Sequence, residues 1–306
     1  KCNRRKASIM DKKLLFIVNP VSGRKTIGEH MISILNLFSH EKFEVTVLVT
    51  QKPRHAVEYV KEHGGEYDRI VCAGGDGTLN EVVTGLRDGR HKGVLLGYIP
   101  CGSTNDFASN FDMANTDVMD CARRAIGDNI IELDSGVLND HSFLYTAAFG
   151  AFTDITYTTS QNFKNVLGHQ AYVISALNHL ADIKPIHASI DYGQDTLIEE
   201  DFLVGIISNS ERVAGFSNLY KGDVDLTDGL FEVLLVKYPK TIAETSDAAT
   251  SFLQRNWNSK MLYYFKTGSL RLWSDSKISW TLDGEFGGEY SVSTIRNRHN
   301  SVMFCV

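Results

Sequence analysis

No run of about 18 consecutive apolar residues occurs in the 306-residue chain, so no segment has the length and apolarity of a transmembrane helix. A disulfide framework is missing too. The five cysteines (Cys2, Cys72, Cys101, Cys121 and Cys305) are odd in number and scattered, with no C-x-x-C pair and no Cys/His cluster. That pattern reads as free thiols in a reducing, cytoplasmic setting. Basic excess is also lacking: 31 Lys and Arg against 37 Asp and Glu leave a formal charge of −6. The balance argues against a dedicated nucleic-acid binder, and against general adhesion to an anionic membrane without a local basic patch. The opening Lys1-Cys2-Asn3-Arg4-Arg5-Lys6 is basic, but no apolar signal core follows. Residues 1–9 are therefore set aside as a flanking segment. The ten histidines show no i, i+4 spacing beside a carboxylate, and no G-x-S-x-G elbow is present, so hydrolase chemistry has no support.

What is present is an ordinary globular balance, 43% hydrophobic and 22% charged residues, at a length that suggests about two domains. Leu14–Val18 is a short apolar run closed by Asn19-Pro20, followed by a helical stripe at Ile27, Met31, Ile34, Leu35 and Phe38. Val45, Val47 and Val49 alternate before a second helical pattern at Ala56, Tyr59 and Val60. Arg69–Ala73 is a third strand stopped by Gly74-Gly75; Leu79, Val82, Val83 and Leu86 mark a helix, and Val94–Ile99 a fourth strand. Strand and helix in alternation predict stacked βαβ units on a parallel sheet, an α/β domain over residues 10–130. Beyond that point come short β-rich segments at 130–133, 143–149, 187–192, 202–207, 230–236, 262–265, 270–273, 277–282 and 290–295. One helical interlude at about 161–181 interrupts them. Their spacing predicts an all-β antiparallel sandwich or barrel, with a cleft between the domains as the default site.

Chemistry concentrates in the turns. Gly74-Gly75-Asp76-Gly77-Thr78 follows a buried-strand pattern and opens an amphipathic helix. Glycines let the backbone approach a ligand, and a helix N-terminus offers N–H groups to phosphate. A bare anion would be repelled by Asp76, which points to a Mg²⁺–nucleotide instead. Asn19-Pro20-Val21-Ser22-Gly23 and Pro100-Cys101-Gly102-Ser103-Thr104-Asn105-Asp106 follow the first and fourth strands. Loops at the carboxyl ends of parallel strands converge on one crevice. Neither a Walker A loop nor G-x-G-x-x-G is present.

Asn19-Pro20-x-Ser22-Gly23, Gly74-Gly75-Asp76-Gly77-Thr78-Leu79-Asn80-Glu81 and Pro100-x-Gly102…Asn105-Asp106-Phe107-Ala108 together resemble the diacylglycerol kinase catalytic-domain family. That family takes in soluble bacterial lipid kinases and the sphingosine and ceramide kinases. The resemblance runs from about residue 12 to the C-terminus. It implies a Rossmann-like α/β nucleotide domain, a β-sandwich domain over 131–292, and a last strand, 293–306, returning to the first domain. It implies ATP and Mg²⁺ as cofactors, with Thr50 joining the three motifs in the nucleotide set. It also places the catalytic base in Leu282-Asp283-Gly284-Glu285: Glu285 is the lead base, with Asp283 orienting it or binding metal. Read without the resemblance, Asp-Gly there is a hairpin turn. The acids Asp223, Asp225 and Asp228 precede Gly229-Leu230, and the resemblance makes Asp225, Asp228 and the Leu230 carbonyl a structural Mg²⁺ site. Two departures stand out. Gly222 and Val224 replace a usual proline and alanine, and Ser103 stands where threonine is usual, keeping a hydroxyl.

The expected activity is γ-phosphoryl transfer from ATP to a lipid alcohol, most directly diacylglycerol to phosphatidic acid. Three other readings stay open, the first a sphingoid-base kinase of the same Gly-Gly-Asp-Gly-Thr superfamily. NAD kinase shares the Gly-Gly-Asp-Gly-Thr loop but lacks the Asn-Pro-x-Ser-Gly opening and the Asn-Asp-Phe-Ala motif. A non-catalytic binding regulator is disfavoured by the retention of Asp283 and Glu285. Phe152, Tyr157, Phe163, Val166, Leu167 and Tyr172 are candidates for an acyl-tail groove. The expected partner is a lipid substrate met transiently at the membrane surface, and an exposed sheet edge can support a homodimer.

Overall fold

A computed structural model describes residues 12–23, 27–103, 105–151, 184–193, 196–213, 216–217, 220 and 224–306. The expected helix at 161–181, the candidate tail groove, Thr104 and Asp223 lie outside the described residues. The chain forms two compact units: Lys1–Asn105 with Asn115–Ile131 and Met303–Val306, and Asp106–Ala114 with Glu132–Val302.

The first unit contains β1 (Lys12–Val18), α1 (Ile27–His40), β2 (Phe43–Val49), α2 (His55–His63), β3 (Arg69–Gly74), α3 (Asp76–Gly89), β4 (Leu95–Pro100) and α4 (Val118–Ala125). The strands pair in parallel in the order β4-β3-β1-β2. Leu14–Val18 and all of β3 are buried, the unbroken apolar pattern of a parallel sheet covered on both faces. Phe38 of α1 meets Phe16 of β1 edge to face at 5.4 Å, and burying such a side chain is worth about 1.5–3 kcal/mol. At the far edge Met303 and Phe304 pair in parallel with Leu95 and Leu96. Of the segment expected to return, 293–306, only Met303–Val306 belong to this unit; residues 293–302 belong to the second.

In the second unit the strands are antiparallel: β5 (Ile130–Leu138), β6 (His141–Phe143), β7 (Thr146–Gly150), β8 (Ile186–Asp191), β9 (Leu197–Ser208), β10 (Arg212–Val213), β11 (Phe216–Ser217), β12 (Phe231–Lys237), β13 (Leu262–Thr267), β14 (Ser269–Leu282) and β15 (Glu285–Cys305). Neighbours run β13-β12-β9-β7-β14-β15. Their core packs aliphatic side chains around Phe143, Phe149, Phe202, Phe231 and Trp280, all fully buried.

Three features differ from the sequence reading. The segments 270–273 and 277–282 are one strand, β14, carried across Ser274–Lys277 by a shift in its pairing with β15. Residues 143–149 divide into β6 and β7, because the N–H groups of Leu144, Tyr145 and Thr146 bond a carboxylate rather than a neighbouring strand. A helix absent from the reading, α5 (Ile242–Gln254), opens on a capping box: the Thr241 hydroxyl accepts the Glu244 N–H, and the Glu244 carboxylate accepts the Thr241 N–H.

Candidate functional site

The three glycine-rich loops of the first unit touch one another. Gly23 has φ +51°, and a Cβ built there would sit 1.9 Å from the Cys101 carbonyl oxygen. At Gly102 a Cβ would sit 2.8 Å from the Gly75 Cα, and at Gly75 it would lie 3.5 Å from the Ser22 Oγ. No side chain fits where Gly23 and Gly102 pass their neighbours, which accounts for glycine at both. Hydrogen bonds fix the same arrangement. The Asn19 Nδ2 donates to the Thr78 Oγ1 at 2.9 Å, its Oδ1 accepts the Val21 N–H, and the Cys101 N–H donates to the Gly74 carbonyl at 2.7 Å. Asn105, itself at φ +50°, closes the third loop: its Oδ1 accepts the Gly102 N–H at 2.8 Å and its Nδ2 donates to the Gly102 carbonyl. Pro20 is exposed on the first loop and Ser103 on the third.

Helix α3 begins at Asp76, directly after Gly75 in extended conformation, so its first turn presents a positive dipole end to the loop cluster. Asp76 is buried at the same place, and the Tyr98 hydroxyl lies 3.3 Å from its Oδ1 and 3.2 Å from the Gly74 carbonyl oxygen. Burial first, and then the Asp76 charge, push the Tyr98 phenol well above its usual range. Thr50, just beyond β2, donates its N–H to the Val18 carbonyl at 2.9 Å. The Glu81 carboxylate accepts the Arg54 and Ala56 N–H groups at 2.8 and 3.2 Å, the donors at the start of α2. The Asn80 Oδ1 accepts the Thr84 hydroxyl along α3, and Gly77 is part-buried in its first turn.

Glycine crowding, a helix N-terminus and a buried carboxylate make a donor set that fits a Mg²⁺–nucleotide phosphate chain. Among the described residues no group of three His, Cys, Asp or Glu side chains is placed to hold a metal by itself. A cation there would draw its remaining ligands from the phosphates and water.

Asp106, last of the third-motif residues assigned to the nucleotide, belongs to the second unit. It is buried, and the Arg212 Nε lies 3.4 Å from its Oδ1 while the Arg212 Nη1 donates to the Ser109 Oγ.

The Leu282-Asp283-Gly284-Glu285 element is the β14–β15 hairpin tip. Leu282 pairs with Glu285, leaving a two-residue turn with φ +49° at Asp283 and +87° at Gly284, the geometry that Asp-Gly favours. The two acids occupy opposite environments. Asp283 is 5% exposed, and its carboxylate accepts three backbone N–H groups, from Leu144 at 2.7 Å and from Tyr145 and Thr146 at 3.0 Å. Glu285 is exposed beside Phe286, which is 61% exposed. Asp283 thus anchors the turn, and Glu285 is the carboxylate presented to solvent.

In the 225–230 turn, the Asp225 Oδ1 accepts the Thr227 N–H and hydroxyl, and the Asp228 Oδ1 accepts the Leu230 N–H. The Leu230 carbonyl accepts the Asn297 Nδ2 at 3.3 Å, and the Lys266 Nζ lies 3.7 Å from the Asp228 Oδ2. The sequence reading missed the residue that holds this turn, Asp134. Fully buried on β5, it accepts the Gly229 N–H at 2.6 Å, the Asn300 N–H at 2.8 Å and the Asn297 Nδ2, and lies 3.1 Å from the His299 Nδ1. Its only signal is an acid inside a β-rich run. A charge buried at such a position needs several donors.

The family model of the diacylglycerol kinase catalytic domain matches residues 13–138. A diacylglycerol kinase of Bacillus subtilis (strain 168) is 31% identical over 279 residues, covering 90% of this chain and 91% of the relative. One from Staphylococcus saprophyticus is 30% identical over 283 residues, covering 92% and 91%. A crystal structure of a diacylglycerol kinase from Bacillus anthracis str. Sterne has the same fold, with a TM-score of 0.74 at 19% identity and 96% coverage of both chains. A second structure from that organism gives 0.78 at 20% identity, covering 99% of this chain and 97% of its own. Among the described residues no helix is long and apolar enough to cross a membrane. With identity sustained over nine-tenths of both chains, this chain belongs to the diacylglycerol kinase family and is a lipid-kinase phosphotransferase.

Proposed function

We propose that the chain transfers the γ-phosphoryl group of ATP to the hydroxyl of a lipid alcohol, with diacylglycerol as acceptor and phosphatidic acid as product. The observation that carries this reading is the contact of three glycine-rich loops with one another at the N-terminus of α3. Backbone donors of Gly23, Gly75, Gly77 and Ser103, with the Ser22 hydroxyl and the Asn19 and Thr78 side chains, would hold the phosphate chain. Thr50, Thr104 and Asn105 would border it, and Asp76 would meet the accompanying Mg²⁺. When bound, that cation offsets the charge that develops on the transferred phosphoryl group. Glu285 takes the hydroxyl proton as the acceptor oxygen bonds to phosphorus and the bridging oxygen leaves with ADP. Support for Glu285 over Asp283 is the exposure of one and the saturation of the other by backbone donors. For Asp225, Asp228 and the Leu230 carbonyl we keep a structural Mg²⁺ role, supported by their place in one turn whose backbone N–H groups the two acids accept. Phosphoryl transfer draws no step from it. The acceptor is met at a bilayer that the chain visits from water.

Incubating the protein with ATP, Mg²⁺ and a mixed lipid extract, followed by mass spectrometry, tests the proposal. Phosphatidic acid as the dominant new species supports it. Dominance of a phosphorylated sphingoid base, monoacylglycerol or polyprenol replaces the acceptor, and ATP turnover without any new phospholipid sinks the lipid assignment.

A further inference from the structure

Tyr98 lies in the buried part of β4, in register with Cys72 on β3, and none of its surface is exposed. A buried phenol requires a partner for its hydroxyl, and this one reaches the Gly74 carbonyl, at the end of β3, at 3.2 Å and the Asp76 Oδ1 at 3.3 Å. One proton therefore serves two acceptors, which flank Gly75 and so bracket the strand-to-helix turn. Asp76 is 8% exposed at the first residue of a 14-residue helix, where a carboxylate turned by one rotamer would direct its charge differently toward the loops.

We propose that Tyr98 is a positioning residue for Asp76: its hydroxyl, itself held against the Gly74 carbonyl, fixes the Asp76 carboxylate in the orientation that meets the Mg²⁺ of the nucleotide. Tyr98 acts through Asp76 and contacts no substrate itself. The inference rests on the reading of Asp76 as the carboxylate that meets the cation.

Calorimetric titration of ATP at a series of Mg²⁺ concentrations tests it, using the wild type, Tyr98→Phe, Asp76→Asn and the double variant. In Y98F the Mg²⁺ concentration for half-maximal ATP binding rises about tenfold, the scale of one hydrogen bond to a charged group, while ATP binding without Mg²⁺ is unchanged. A merely structural hydroxyl would lower the melting temperature and leave that Mg²⁺ midpoint alone. In the D76N background the Tyr98→Phe change adds nothing, because the charge it acts through is gone. An unchanged midpoint in Y98F, or a further tenfold rise in the double variant over D76N, overturns the proposal. Should Y98F not fold, NMR of the wild type carrying Cζ-labelled tyrosine decides: the Tyr98 signal moves when Mg²⁺ is added to the ATP-bound protein, and a signal that stays in place overturns the proposal. If D76N leaves the wild-type midpoint in place, the reading of Asp76 has failed, and the role of Tyr98 falls with it.

Discussion

Asp283 and Tyr145 grip each other at two points: the Asp283 Oδ1 accepts the Tyr145 N–H at 3.0 Å, and the Tyr145 hydroxyl donates to the Asp283 carbonyl oxygen at 3.2 Å. Together with the bonds from Leu144 and Thr146, this ties the β14–β15 turn to the entry of β7. The two acids of the turn therefore respond differently to mutation. Asp283→Ala leaves three buried N–H groups without their acceptor and is expected to cost about 3 kcal/mol or more, read as a fall in the urea midpoint. Glu285→Gln keeps the midpoint and lowers phosphoryl transfer at least about 100-fold. Loss of transfer in D283A at unchanged stability would falsify the anchoring role.

Two neighbouring glycines separate folding from ligand approach. Gly23→Ala forces a Cβ to 1.9 Å from the Cys101 carbonyl oxygen at positive φ, so the melting temperature falls. At Gly75, with φ −91°, a Cβ meets nothing closer than 3.4 Å. Gly75→Ala should keep the wild-type melting temperature and weaken nucleotide binding, because the added methyl group stands where phosphate approaches. Calorimetry showing undiminished ATP affinity in G75A would remove Gly75 from the cradle.

Glu81 was assigned to the nucleotide set, yet its carboxylate closes the start of α2. Glu81→Ala is expected to lose about 1–2 kcal/mol in chemical denaturation, the usual worth of a helix cap. ATP affinity should then fall only as far as α2 loosens its neighbours. A large loss of affinity at wild-type stability would return Glu81 to direct nucleotide contact.

Cys101 sits within the third loop, and burial pushes its thiol up to about 11. The neutral thiol then predominates at neutral pH, and the reactive thiolate grows about tenfold per unit of rising pH until the thiol titrates. Native protein treated with iodoacetamide at pH 8 should stay unmodified at Cys101, by peptide mass spectrometry, while urea-unfolded protein reacts readily. Rapid labelling of the native chain at pH 7 would show the loop to be open.

The parallel sheet was legible because β1 and β3 are buried on both faces. Leu14–Val18 and Arg69–Ala73 are apolar runs with glycine or Asn-Pro at their ends, and each end became a loop of the cluster. The second unit was harder to read, since its boundaries depend on partners distant in sequence. Nothing within residues 143–149 announces that their backbone will bond a carboxylate at position 283. The long β14 was split in the reading because Ser274–Lys277 is polar, whereas the pairing with β15 tolerates that stretch as an irregularity. Helix α5 did carry a signal, Thr241-x-x-Glu244, that hydrophobic spacing alone passes over. At the site, motif residues were found by type and spacing. Tyr98 and Asp134 were not, because each looks like one more member of a buried strand until its hydrogen bonds are known.

The pairing of Met303 and Phe304 with β4 bears on the order of assembly during synthesis. β4 emerges from the ribosome about 200 residues before its outer neighbour, so until then it is the bare edge of a parallel sheet, with backbone groups open to any passing strand. Contacts of such sequence separation form slowly. The whole antiparallel unit is made in the interval. The nucleotide unit is thus the first to begin folding and the last to finish.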